Sequence, residues 1–290
     1  MLTRTASRFH GARVRFENHV PRSRVDAFLW EFFLFVLKQG WACLFGGLLL
    51  GLVLLTKWCW PAHAWLARYD FLFLCAVVVQ ALLLVLRMET VREAKVILVF
   101  HVVGTAMELF KTSVGSWTYP EASVFRIGHV PLFSGFMYAS VGSYLARSAR
   151  IMDVRYMRFP PRWVTVALAA LIYANFFTHH YVPDIRVGLF AAVMLAFGKT
   201  WVYYRPYRRW RRMPLLVGFL LVTLFLWIAE NVGTFAMVWV YPHQRLGWRV
   251  VPAGKFGSWL LLMIVSFILI SLVHRAREPE GGNEVSPSWP

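Results

Sequence analysis

Glu108-Leu-Phe-Lys-Thr-Ser-Val-Gly-Ser-Trp117-Thr-Tyr119-Pro120 returns in altered form as Glu230-Asn-Val-Gly-Thr-Phe-Ala-Met-Val-Trp239-Val-Tyr241-Pro242. In each copy a carboxylate stands near the end of a long apolar run, and Trp, Tyr and Pro follow at the same distances. Every matched residue of the second copy lies 122 positions after its counterpart, and Pro61/Pro183 and Gly135/Gly257 share that offset. Six matches on one offset point to an internal duplication.

The runs around the two copies read as membrane spans. The chain has 290 residues, is 59% hydrophobic and has a mean hydropathy of +0.54, which is more apolar surface than one soluble core can hide. A net charge of +17 would suit nucleic acid, but the Arg residues cluster in short segments between apolar runs of about twenty residues, the length that crosses a bilayer. The charge therefore reads as topology, and the expected partner is the lipid bilayer, not nucleic acid. Cys43, Cys59 and Cys75 have no metal-ligand spacing and read as packing thiols, so neither a disulfide, a metal site nor a cofactor is expected. The apolar run after the first 27 residues is too long for a signal-peptide core and lacks a small-residue cleavage site.

The expected fold is all-α and integral to the membrane, with about eight transmembrane helices arranged as two tandem four-helix repeats. Their ranges are about 29–56, 69–87, 95–114, 131–147, 163–180, 187–204, 213–236 and 254–273. The chain divides into a basic arm (1–28), a first repeat (29–150), a second repeat (151–274) and a disordered tail (275–290). Arg87, Arg92, Arg147, Arg150, Arg155, Arg205 and Arg208 crowd the arm's side of the helices, which places both termini in the cytoplasm and both Trp-x-Tyr-Pro segments outside. An even number of spans per unit makes the two copies parallel, related by a pseudo-twofold along the membrane normal. Gly47-Leu-Leu-Leu-Gly51 has the spacing of a close helix crossing.

A carboxylate in a spanning helix costs about 2.5–3.5 kcal/mol when central, so it faces a protein interior or a cavity. Glu108 and Glu230 each lie about 9 Å from a helix end and are the candidate acid/base residues. His101, Thr105, Glu108 and Thr112 share one helix face, as do Thr223, Trp227, Glu230 and Thr234. In a purely structural reading each Glu would accept hydrogen bonds from Thr or Asn231 and tie helices together. Repetition at equal depth beside aromatic residues favours a site. Trp117, Tyr119, Trp239 and Tyr241 are either interface anchors or aromatic walls of a cavity mouth able to stabilise a cation. Asn175, His179 and Asn231 complete the candidate substrate-binding set with His101. Adjacent His179 and His180 point apart if helical, and no His-x-x-x-His partner follows, so they are not read as metal ligands. Lys111 is spaced to pair with Glu108, and Asp70 is placed to complement the dipole of the second helix.

The run from Glu108 to Tyr138, with Asn175-Phe-Phe-Thr-His-His180 and Ala229-Glu-Asn231, resembles a bacterial family of multi-pass membrane proteins catalogued only as a domain of unknown function. That resemblance implies location, the bacterial cytoplasmic (inner) membrane, and no activity. A fainter similarity is to lycopene-cyclase-like and carotenoid-hydratase-like membrane proteins, in which a buried acid precedes an aromatic-x-Tyr element and then Val-Pro. The corresponding pieces are Glu108, Trp117-Thr-Tyr119 and Val130-Pro131, then Glu230, Trp239-Val-Tyr241 and Val251-Pro252. The cyclases' paired glutamates after that Pro are absent, because Pro131 is followed by Leu-Phe-Ser-Gly.

Two functions fit these residues. One is an enzyme that uses a buried Glu as acid/base on a membrane-soluble, isoprenoid-like small molecule. The alternative is a proton-coupled transporter or a membrane sensor or assembly protein, and no interrupted-helix pair points to it.

Overall fold

A computed structural model describes residues 23–61 and 63–273. The basic arm up to residue 22 and the tail from 274 lie outside the described residues, and with them the expectations of a cytoplasmic arm and a disordered tail. Nine α-helices are present among the described residues, in chain order α1 (Arg24–Ala42), α2 (Leu44–Cys59), α3 (Arg68–Val85), α4 (Val91–Ser113), α5 (Phe133–Ile151), α6 (Arg162–Thr178), α7 (Arg186–Phe197), α8 (Leu215–Phe235) and α9 (Gly254–Val273). Two small antiparallel sheets complete the fold: β1 (Arg126–Ile127) with β2 (Val130–Pro131), and β3 (Arg155–Met157), β4 (Trp201–Tyr204) and β5 (Arg211–Pro214) in that order.

Helices α3, α4, α8 and α9 are long and apolar enough to cross a membrane, and the pair α1 and α2, bent by 68°, adds a fifth if it counts as one broken span. Large apolar side chains stand exposed on these helices, among them Leu74, Val78, Leu98, Val102, Leu220 and Phe225. Such a surface suits acyl chains and not water, and marks an integral membrane protein.

Local chemistry sets the helix ends. Ser23 caps α1 by accepting from the Asp26 amide at 3.1 Å. Thr90 and Glu93 form a capping box at the start of α4, the Thr90 hydroxyl accepting from the Glu93 amide (3.2 Å) and the Glu93 carboxylate from the Thr90 amide (2.8 Å). The bend between α1 and α2 follows Lys38-Gln39-Gly40, a polar interruption containing a poor helix former within an otherwise apolar run.

Two expected helices are corrected. The run 29–56 is not one helix but α1 and α2, broken at Cys43 and bent by 68°. The run 187–204 is helical only to Phe197, and Trp201-Val-Tyr-Tyr204 forms β4, with Tyr203 opposite Arg155 on one side and Arg212 on the other. Gly198 ends the helix, and the β-branched and aromatic residues beyond it suit a central strand. The fold is therefore mostly helical and not all-α. Two of the Arg residues read as topology signals build this sheet end: Arg155 and Arg205 lie 4.9 and 5.2 Å from the Trp210 ring.

The tightest helix pair is α4 with α5. Gly135, Ala139, Gly142 and Ala146 repeat at helical spacing along the buried side of α5. A Cβ at Gly135 would fall 2.5 Å from His101, one at Gly142 2.9 Å from Phe100, and one at Gly104 2.6 Å from Tyr138, so the crossing requires these glycines. Gly47 and Gly51 do not serve in this way: a Cβ at either meets nothing within 4 Å, and it is Gly46 that faces Ser140 at 3.2 Å.

The buried apolar residues fall into three clusters. One, with Phe45, Leu83, Phe100 and Ala146, belongs mainly to α2–α5, and a second, with Ile172, Phe197, Phe219 and Phe267, to α6–α9. The third joins the two halves through Tyr69, Trp117, Phe133, Val238, Trp239 and Tyr241. That joint is where the candidate site lies. At the opposite end of the bundle, Arg147 and Glu89 form an ion pair with both side chains fully buried, and the Ser143 hydroxyl also donates to Glu89 (2.8 Å).

Candidate functional site

Both acid-bearing helices end in the same way. After α4 the chain turns through Gly115 (φ +71°), with the Ser116 amide bonded to the Lys111 carbonyl at 2.9 Å. After α8 it turns through Met237 (φ +55°), with the Val238 amide bonded to the Gly233 carbonyl at 3.1 Å. These are left-handed C-terminal closures, and they send the chain back along the helix it has just left. The reversal brings Trp117 and Tyr119 to Glu108, and Trp239 and Tyr241 to Glu230.

Glu108 is 3% exposed and Glu230 4%. Glu108 Oε2 accepts from the Trp117 indole N–H (2.7 Å) and the Tyr119 hydroxyl (2.7 Å), while Oε1 accepts from the Tyr138 hydroxyl (2.6 Å). Glu230 Oε1 accepts from Trp239 (3.1 Å) and from the Tyr241 hydroxyl. Among the described residues no hydrogen bond reaches Glu230 Oε2. One turn beyond each acid a Thr hydroxyl donates to the Glu carbonyl, Thr112 at 2.8 Å and Thr234 at 3.1 Å. Burial first, and then the adjacent Glu108, pushes the Tyr119 phenol well above its usual value, and burial followed by Glu230 does the same at Tyr241. Both hydroxyls therefore remain protonated donors.

The two centres touch. The Thr118 amide bonds to the Val240 carbonyl (3.0 Å) and the Val240 amide to the Thr118 carbonyl (2.9 Å), a reciprocal antiparallel bridge. The Trp117 and Tyr241 rings meet edge to face with centroids 5.9 Å apart. Arg68, 6% exposed, fastens the joint: its guanidinium reaches the Thr56 hydroxyl, the Glu121 carboxylate (2.7 Å) and the carbonyls of Val53 and Ala236.

The other expected site residues have separate surroundings. His101 packs against Phe136, with ring centroids 4.5 Å apart, and among the described residues its buried Nδ1 has no hydrogen-bond partner. Asn175 donates to Asp184 (3.0 Å) and accepts from the Ile185 amide (3.2 Å), shaping the turn between α6 and α7. Asn231 donates to the Trp227 carbonyl (2.8 Å) and accepts from the Val251 amide (2.9 Å), tying α8 to the segment before α9. The pairing expected between Lys111 and Glu108 does not form. Lys111 Nζ instead lies 3.4 Å from His179 Nε2 and 2.9 Å from His180 Nε2, over the Phe176 ring at 4.2 Å. The two imidazoles lie side by side, centroids 4.2 Å apart and planes tilted by 35°, instead of diverging, because α6 ends at Thr178 and they are no longer on a helix.

Sequence reasoning missed three contributors. Tyr138 is the third donor to Glu108, from a helix that begins twenty-five residues after the acid. Lys255 places its ammonium 4.4 Å from the Tyr241 ring centre and 5.5 Å from that of Trp117, so the aromatic faces expected to hold a substrate cation carry the chain's own lysine. Asp70, 1% exposed, accepts from the Val124 and Phe125 amides at 2.8–3.1 Å and pins the loop before β1, a tighter role than complementing a helix dipole. Tyr138 lay within a stretch already singled out and Asp70 had been given a different role, whereas nothing had marked Lys255.

Chemically, the centre is a pair of buried carboxyls, each bonded to a neutral phenol and an indole, with one carboxyl oxygen left over. It can store a proton and pass it through Tyr241 or Tyr119. A cavity of about 950 Å³ lies near the sheet end of the bundle, lined by Gln39, Glu93, Tyr144, Arg150, Phe219 and Phe267 among others; neither Glu108 nor Glu230 lines it.

A protein of Bacillus subtilis (strain 168), “Uncharacterized protein YoaT”, is 43% identical over 241 residues, covering 83% of this chain and 90% of that one. No solved structure matches. Residues 31–267 match the family described as “Protein of unknown function (DUF817)”, and the chain belongs to that family.

Proposed function

We propose that this protein is a membrane enzyme in which Glu230, partnered by Tyr241 and backed by Glu108, moves protons to or from an apolar, isoprenoid-like chain dissolved in the bilayer. The observation that carries this reading is the Glu230 carboxyl. Its Oε1 is held by Trp239 and Tyr241 while Oε2 takes no hydrogen bond among the described residues, in a buried aromatic setting. A general acid or base needs an oriented carboxyl with one oxygen free to meet the substrate.

The same reading includes eight spans in two tandem units, 29–150 and 151–274, of the same orientation in the cytoplasmic membrane of a bacterium, with the Arg-rich sheet end and both termini inside. Its support is the agreement of element ends on the 122-residue offset. Shifted by it, α8 and α9 start and stop within two residues of α4 and α5. Gly115 and Met237 turn with positive φ at matched positions, and Thr118 bridges to its own counterpart Val240, as a twofold axis requires.

Deletion of the gene tests the chemistry. The lipid extract should show an altered isoprenoid profile that wild-type protein restores and Glu230→Gln does not. An unchanged profile rejects the enzyme, and if proton-dependent solute uptake changes in its place, a transporter replaces it. For topology, Pro120→Cys should be labelled in intact cells by a membrane-impermeant thiol reagent, whereas labelling only after permeabilisation reverses the orientation.

A further inference from the structure

Beside the two acids lies a concentration of positive charge that the acid–base reading does not use. Lys111 is 4% exposed, yet among the described residues no carboxylate lies within 4 Å of it. Among the described residues its ammonium is met by two imidazole nitrogens and the ring faces of Phe176 and Phe110. A buried ammonium with three donors and no anionic partner is rare, because removing it from water is costly unless an anion compensates. Lys255, near the start of α9, lies over the Tyr241 and Trp117 rings, and among the described residues no carboxylate oxygen is within 4 Å of its ammonium. Arg186, the first residue of α7, runs along that first turn of α9, since a Cβ at Gly257 would lie 4.0 Å from its Cδ.

A run of contacts links the imidazoles beside Lys111 to Arg186: His179 Nδ1 lies 2.8 Å from the Asn175 carbonyl, Asn175 donates to Asp184 (3.0 Å), and Asp184 pairs with Arg186. Asp184, the carboxylate beside Arg186, is already shared among Asn175, the Arg186 amide and the Arg186 guanidinium (3.1 Å). Lys111, Lys255, Arg186 and two imidazoles thus gather from the ends of α4, α6, α7 and α9, and the acids nearby are Asp184, already engaged, and Glu230, on the Lys255 side. Convergence from four elements distinguishes this from a solvated surface patch, where cations on one helix point away into water.

We propose that Lys111, Lys255 and Arg186, with His179 and His180, form a binding site for a phosphate-bearing anion. A phosphate offers several oxygens and more than one charge to donors arriving from different directions, and both ammonium and guanidinium groups suit it. The same chemistry is supplied by a lipid phosphate head group or by free phosphate or diphosphate in solution. The proposal concerns binding alone and holds whether or not Glu230 transfers protons.

The test uses the full chain purified in an uncharged maltoside detergent. Calorimetric titration with inorganic diphosphate reads the soluble source, and phosphorus analysis of co-purified phospholipid reads the lipid source. Saturable diphosphate binding, or about one retained phospholipid per chain, is expected. The double change Lys255→Gln with Arg186→Gln should weaken the first about tenfold or more, or remove the second. Lys199→Gln, an exposed lysine at the other end of α7, should leave either signal unchanged. If the double variant does not fold, Arg186→Gln alone, at a half-buried position, is read in the same assays and should weaken binding about threefold. Absence of both signals, or equal binding by the variant, overturns the site and leaves the acid–base reading standing.

Discussion

Glu108 and Glu230 are each held by a Trp indole and a Tyr hydroxyl delivered by the same chain reversal, but the first accepts a third hydrogen bond and the second keeps one oxygen free. Three positions account for the difference when the chain is read on its 122-residue offset. Tyr138, the third donor, corresponds to Leu260, which has no hydroxyl to give. Phe133, whose ring meets Tyr119 edge to face at 6.4 Å, corresponds to Lys255, whose ammonium sits over Tyr241. Lys111 corresponds to Gly233, where the Trp239 ring packs so close that a Cβ would lie 2.1 Å from it. One centre is saturated, and the other is under-coordinated with the Lys255 ammonium closer to its rim. Saturation serves stability, whereas an unengaged oxygen serves exchange.

The comparison breaks most sharply at Glu230. If this is the working acid, Glu230→Gln should reduce the lipid conversion by about a hundredfold or more while unfolding in detergent shifts by less than about 1 kcal/mol, since the amide keeps the acceptor oxygen. A comparable loss of conversion only in Glu108→Gln would exchange the roles of the two centres. Next in size, Glu108→Leu leaves three buried donors unpaired, at about 1–3 kcal/mol each, so it should destabilise by about 3 kcal/mol or more, and clearly more than Glu230→Leu. Equal losses in chemical unfolding would mean that the third donor contributes nothing. Tyr138→Phe isolates that donor and should cost about 1–2 kcal/mol while leaving Glu108 two-coordinate, like Glu230. The smallest difference lies in the backbone. Gly115 and Met237 both turn with positive φ, so Gly115→Ala, with nothing within 4 Å of a new Cβ, should cost about 1 kcal/mol from conformation alone, whereas Met237→Gly should be neutral or slightly stabilising.

The residues legible in sequence were those whose meaning depends on spacing. Glu108, Trp117 and Tyr119 recur as Glu230, Trp239 and Tyr241, and a carboxylate in an apolar run has to turn inward, so the pairing of acid with aromatic residues could be anticipated from pattern alone. The long runs that became α3, α4, α8 and α9 were equally plain. What spacing could not supply was side-chain direction beyond a helix end. Lys111 stands three residues from Glu108, but in the last turn of α4 it finds the imidazoles that follow the end of α6. His179 and His180 were assigned diverging directions that hold only inside a helix. Tyr138 and Lys255 reach the centres across a helix–helix contact, which local periodicity does not encode. The strand Trp201–Tyr204 was hidden because a short apolar run satisfies helix and strand patterns alike, and pairing with distant Arg155 and Arg212 decides between them.

The bridge between Thr118 and Val240 has a consequence for how the protein is made. Its two halves leave the ribosome 122 residues apart, which at about 5–20 residues per second is an interval on the order of ten seconds. Throughout that interval the finished first half carries an exposed amide and carbonyl at Thr118 and an uncovered Trp117 edge, with no partner yet synthesised. A chain released after residue 150 should accordingly expose the 114–120 turn to protease, and addition of the missing half should protect it. Pairing of Thr118 and covering of the Trp117 edge thus wait on translation of the second half.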